Sequence, residues 1–129
     1  MWMQGFQALA VTIGGQNMDI RRIDDDYSVS GQISVADLDE VKALGFKSIV
    51  CHRPDDEEEG QPRFADIAER AEELGLTIMH VPVGRFGVDP DAVSGMVDAL
   101  DDLQRPMLGY CRSGARSTAI YEKTHHLRG

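Results

Sequence analysis

The sequence predicts an α/β fold, a mostly parallel sheet of about four strands flanked by helices. Two observations carry this. Short apolar runs rich in β-branched residues alternate with longer segments whose apolar residues recur at helical spacing, and Gly or Pro marks most of the junctions. At 129 residues the chain has room for one such core and is short for two. Tyr27 to Ser30 has strand character, and Gly31 ends it. Ser34 with Asp37 resembles a capping box with Asp in place of the usual Glu or Gln, and Val35, Leu38, Val41 and Leu44 follow at helical spacing until Gly45. Lys47 to Cys51 reads as a buried strand that empties into the polar loop His52 to Pro62. From Phe64, the residues Ile67, Ala68, Ala71 and Leu74 mark a helix closed by Gly75, and Thr77 to Val81 is the next strand. Asp89 caps a helix with Pro90 in its first turn, and Val93, Met96, Val97, Leu100 and Leu103 share one face until Arg105-Pro106. Met107 to Tyr110 is the last strand, which places Cys111 at a carboxyl end, where α/β sheets carry their sites. A helix from about Ser117 then has only a thin apolar face of Ala119, Ile120, Tyr121 and Leu127.

Composition narrows the function classes. The apolar share of 42% and charged share of 27% are those of an ordinary soluble domain. A net charge of −9 argues against binding to nucleic acid or to anionic membrane. Two cysteines make no disulfide framework, and a reducing compartment such as a cytoplasm suits a reactive thiol. No stretch is long and apolar enough to span a bilayer. Residues 1–18 read as a loosely ordered extension ahead of a catalytic domain over 19–129. Phe6 to Ile13 is mildly apolar but lacks the basic flank and cleavage site of a signal peptide, and Met18 could be the true start.

The chemistry concentrates in Cys111-Arg112-Ser113-Gly114-Ala115-Arg116-Ser117. A strand, a thiol, a glycine-containing loop and a helix start in this order let the backbone N–H groups of residues 112 to 117 curl around the sulfur, with the helix's positive end behind them. Such a cradle lowers the thiol pKa and seats an oxyanion. Cys111 is the candidate nucleophile, and Arg116, at the loop's closing position, the candidate grip on the oxyanion. Ser113, Gly114, Ala115 and Ser117 supply the cradle, Ser117 also as a helix cap, while Arg112 stands at the mouth. Arg53 is a candidate for a substrate's anionic tail; Asp55 is either a displaced general acid or, the favoured reading, a partner that pins the loop by pairing with Arg53. The acidic run Asp55 to Glu59 reads as solvated. Arg85 and Phe86, between Gly84 and Gly87, are either a pocket wall or a plain surface turn. Cys51 reads as core, with a protective disulfide to Cys111 as the lesser alternative. The four histidines show no metal-ligand spacing, and no cofactor is called for.

Cys-Arg-Ser-Gly-x-Arg-Ser resembles the active-site loop of rhodanese sulfurtransferases, in which the cysteine carries a persulfide. Four residues separate Cys111 from Arg116, one fewer than in the similar loop of cysteine phosphatases. A second resemblance, over roughly residues 19 to 120, rests on Ile23 to Ser34, Arg53-Pro54-Asp55 through Gly60-Gln61-Pro62, Pro82-Val83 and the Cys111 loop. Together these are similar to the phosphatase-like domain of the β-lactamase-hydrolase-like family. That resemblance implies a cysteine-phosphatase-like fold carrying a rhodanese type of loop. It implies a sulfurtransferase that draws sulfur from thiosulfate or a low-molecular-weight persulfide and passes it to a thiol or cyanide, with a persulfide dioxygenase as a candidate partner. Two features favour this over a phosphatase acting on phosphate esters: Tyr110 replaces the usual His before the cysteine, and the loop Pro82 to Val88 holds no acid before Asp89. A third reading is a non-catalytic module that binds anions or a partner.

Overall fold

Residues 19–127 are described by the computed structural model. Five strands form one sheet: β1 (Arg21–Arg22), β2 (Tyr27–Ser30), β3 (Ser48–Cys51), β4 (Thr77–His80) and β5 (Met107–Tyr110). Their order is β1-β2-β5-β3-β4, and every pairing is parallel except β1 with β2. Four strands are expected from the sequence; the fifth is the two-residue β1, whose exposed arginines carry no apolar pattern to announce it. Four helices flank the sheet: α1 (Leu38–Ala43), α2 (Phe64–Glu73), α3 (Pro90–Asp102) and α4 (Ala115–Thr124).

Strand alternation sorts the core into two layers. Tyr27, Val29, Val50 and Met107 face α3 and α4, where they pack with Met96, Ala99, Leu100, Ile120 and Tyr121. Ile49, Cys51, Leu108 and Tyr110 face the other way, against Leu38, Val41, Ile67 and Ala71. Full burial of a side chain such as Leu100 or Ile67 contributes about 2 kcal/mol. The caps sit where the sequence puts them. Ser34 and Asp37 close a reciprocal capping box, although the chain first makes a 3-10 turn over Val35–Asp37 before α1 begins. The Asp89 carboxylate accepts from the Ala92 N–H at 2.8 Å, with Pro90 in the first turn of α3. The last helix starts at Ala115, two residues earlier than expected, and of its predicted apolar face only Ile120 and Tyr121 are buried. Tyr121 offsets part of this by stacking on Tyr27 at 4.0 Å and donating to the Asp24 carboxylate.

The register sets up the site. Ser30 pairs with Tyr110, Tyr110 with Cys51 and Cys51 with His80, so four parallel strands end level with one another. The loops that leave them gather along one edge of the sheet. The residues at 1–18, read above as an extension, lie outside the described residues.

Candidate active site

Cys111 follows β5 directly and is fully buried. Gly114 turns the chain with φ 96°, a conformation that glycine alone adopts without strain, and its N–H points back at the Cys111 sulfur at 3.0 Å. Burial pushes the thiol pKa up. The Ser117 N–H and hydroxyl, then the Ser113 and Gly114 N–H groups, more than offset this, so the thiol sits below its ordinary value. Ser117, expected as a helix cap, lies instead inside the first turn of α4, where Gly114 holds the cap position. Its hydroxyl is buried with no partner at hydrogen-bonding geometry among the described residues and acts to lower the thiol pKa. Two neighbours hold the loop in place: Arg21 donates to the Ser113 carbonyl at 2.7 Å, and the Gln32 N–H reaches the Arg112 carbonyl at 3.3 Å.

Arg116 is clamped from behind. Its Nη1 and Nη2 donate to the two Glu57 carboxylate oxygens at 2.7 and 2.8 Å, and Nη1 also donates to the Val83 carbonyl at 2.8 Å. A guanidinium has five N–H donors. Three are engaged here, which leaves the Nε–H and one Nη2–H for a ligand and for the Cys111 sulfur. Glu57, and after it Cys111, hold Arg116 firmly protonated. Glu57 is in turn drawn down to about 2, first by Arg116 and then by Arg53, against the opposing effect of burial.

The loop after β3 departs most from the sequence reading. Of the acids expected in solvent, Asp56, Glu58 and Glu59 are exposed, whereas Glu57 is drawn in to bridge Arg116 and Arg53; Glu58, still half exposed, pairs with Arg53 at 2.8 Å and Arg112 at 3.4 Å. Arg53 is buried and also donates to the Gln32 side chain, so its place is in this network. The expected Arg53–Asp55 pair does not form. Asp55 instead accepts the Phe64 N–H at 2.8 Å and pins the start of α2. Arg112 is two-thirds exposed, at the mouth of the cleft.

The cleft above the loop has a volume of about 480 Å³ and is lined by Arg53, Arg85, Arg112 and Arg116 against Glu57 and Glu58. Arg85 reaches it from the turn Gly84 to Gly87, closed by a Gly87 N–H to Gly84 carbonyl bond at 3.1 Å, with Phe86 standing 99% exposed at the rim. Asp89 serves as the α3 cap, as its position before Pro90 suggests. Cys51 packs with Ile49 and Tyr110 in the core, as the sequence suggests, its thiol pushed up to about 11 chiefly by burial, and both cysteines are free. Among the described residues no group of three His, Cys, Asp or Glu side chains could hold a metal ion.

Residues 19–127 match the family described as the beta-lactamase hydrolase-like protein, phosphatase-like domain. The chain belongs to that family. A beta-lactamase hydrolase-like protein of Agrobacterium fabrum is 29% identical over 100 residues, which cover 78% of this chain and 23% of that protein. The chain thus spans about a quarter of the length of the curated relatives it matches. Among solved structures, a Neisseria meningitidis protein provisionally assigned as a phosphatase is 35% identical with a TM-score of 0.72, covering 79% of this chain and 72% of that one. Kinase associated phosphatase, solved with its catalytic-site cysteine replaced by serine, is 16% identical with a TM-score of 0.67 over 80% of this chain and 66% of that one, and shows the shared fold. The family's phosphatase-like domain therefore has a cysteine-phosphatase-like fold here, as the resemblance implied. These relationships favour the phosphatase side of the sequence reading. Sulfur transfer, the leading expectation from the loop, finds no support in them, and neither does a dioxygenase partner.

Proposed function

We propose that the chain is a cysteine-dependent phosphatase for phosphate monoesters. The observation that carries this reading is the ring of N–H donors closed on a buried, acidified Cys111 at the end of β5, in a fold shared with cysteine phosphatases. In the proposed cycle the Cys111 thiolate attacks phosphorus, the S–P bond forms, and the ester P–O bond breaks. The N–H groups of the loop and the open edge of Arg116 hold the phosphoryl oxygens as charge gathers on them. No carboxylic acid faces the leaving oxygen from the loop 82–88, so the departing alkoxide takes its proton from water. Water then attacks the phosphocysteine, inorganic phosphate leaves, and the thiolate is restored.

One observation favours sulfur transfer as a second reading. The loop spans only four residues between Cys111 and Arg116, and a leaving thiolate or sulfite needs no acid. Hydrolysis of an aryl phosphate, blocked by orthovanadate and abolished in Cys111→Ser, is the expected result. If wild-type protein leaves the ester intact yet gains one sulfur mass from thiosulfate, released by cyanide, the phosphatase reading is overturned. Anion binding with no turnover of either kind would mark a binding module.

A further inference from the structure

Beneath Cys111 lies a pair of buried polar side chains that neither reading uses. His52 follows β3 and is wholly inaccessible to solvent. Its Nδ1 lies 2.9 Å from the Val81 carbonyl oxygen. A carbonyl only accepts, so Nδ1 carries the ring proton and the neutral ring presents a lone pair at Nε2. Burial holds the imidazole down at about 4, so neutral is its form at ordinary pH. That Nε2 is 3.3 Å from the Tyr27 hydroxyl, and the same hydroxyl is 3.0 Å from the Ser117 carbonyl. Tyr27 has one proton and two acceptors.

Both acceptors lead to the chemistry. Ser117 supplies the N–H and hydroxyl that hold the thiol down. The His52 carbonyl takes the Val83 N–H at 2.9 Å, and the Val83 carbonyl in turn holds Arg116. Tyr27 reaches this position by crossing Gly109 of β5, where an added Cβ would lie 2.7 Å from the Tyr27 Cζ. Its pKa is raised by burial and next by the charge of Cys111, which places the phenol within the field of the sulfur.

We propose that Tyr27 and His52 are positioning residues for the reaction at Cys111: the phenol shares its proton between the Ser117 carbonyl and the His52 Nε2, and so fixes the first turn of α4 against the thiolate. This rests on Cys111 being the nucleophile, and not on whether phosphorus or sulfur is transferred. The groups that act on the sulfur are the Arg116 side chain and the Ser117 hydroxyl from α4, Tyr27 from β2 and the Cys51 thiol from the end of β3; His52 acts through Tyr27, and Glu57 through Arg116.

Tyr27→Phe keeps the ring and its stack on Tyr121 and removes only the hydroxyl. Alkylation of Cys111 by iodoacetamide, followed by mass mapping across pH, is expected to show a midpoint raised by about half to one pH unit in the variant. Nitrogen NMR of the His52 ring in wild-type protein needs no variant for its first readout. The expected spectrum is a neutral Nδ1–H tautomer whose Nε2 signal moves as Cys111 titrates, with that movement gone in Cys111→Ser. An unchanged alkylation midpoint in folded Tyr27→Phe, an Nε2–H tautomer, or an Nε2 signal indifferent to Cys111 would each overturn the assignment. Neither readout needs turnover. Wild-type protein that alkylates as expected but hydrolyses no ester would sink the phosphatase reading and leave this one standing.

Discussion

Glu57 decides how Arg116 is presented. With both carboxylate oxygens on the terminal nitrogens, it fixes the guanidinium plane and leaves the side edge for a ligand. Glu57→Gln keeps the shape and removes the charge, so kcat/KM for a phosphate ester is expected to fall about tenfold or more, the cost of a weakened charge-assisted pair. The pH dependence has a definite sign. The carboxyl is held at about 2 against an ordinary 4.5, so its contribution to stability is complete above about 4.5 and is lost as pH falls through about 2. Urea unfolding midpoints of wild type and Glu57→Gln are therefore expected to converge as pH drops from 4.5 toward 2. No local pattern announces this residue. A block of acids reads as solvated because its own composition says nothing of the arginines that fold over it, and Arg116 lies 59 residues away. The thiol, the glycine and the closing arginine were legible because they sit within one heptapeptide, where spacing alone dictates geometry.

The same contrast holds for elements. Caps and helix faces are local, so Ser34, Asp37, Asp89 and the core positions Met96, Leu100 and Leu103 could be read directly, while Ala92 and Ala99 take the buried places expected of Val93 and Val97. Strand β1 is two exposed arginines with no apolar alternation, and the contact of Glu57 in the loop 52–63 reaches Arg116 far along the chain, so no local periodicity records either. Asp89→Ala tests the cap reading. It should cost about 1 kcal/mol in chemical denaturation while leaving Cys111 alkylation unchanged. A large loss of kcat with stability intact would instead make Asp89 the missing acid. Gly109→Ala tests the crossing of β5 by Tyr27. The added methyl group has no room beside the phenol, and overpacking of this kind should lower stability by about 1–3 kcal/mol, with the thiol's alkylation midpoint disturbed alongside.

On the scale of the whole molecule, a net charge of −9 surrounds a cleft lined by four arginines. The two fields have different ranges. Repulsion of a phosphate dianion by the body of the protein acts over distances near the Debye length of about 10 Å, whereas the arginines act at contact. Moderate salt should therefore screen the repulsion first, and kcat/KM for a dianionic ester is expected to rise modestly between low ionic strength and about 0.1 M. A steady fall over that range would show that the cleft's attraction reaches further than the acidic surface's repulsion.

The sheet order β1-β2-β5-β3-β4 has a consequence for the nascent chain. Of the five described strands, β5, which leads into Cys111, is the last to be synthesised, yet it lies at the centre, between β2 and β3, which do not pair with each other. Until β5 docks, β2 and β3 are separate pieces, and Ser117, Arg116, Tyr27 and Glu57 are scattered along a coil. A chain released before that point carries an ordinary cysteine, protonated at neutral pH. β5 is the keystone in the builder's sense. The insertion that completes the fold also arms the thiol, so a half-folded copy has no activated sulfur to misdirect.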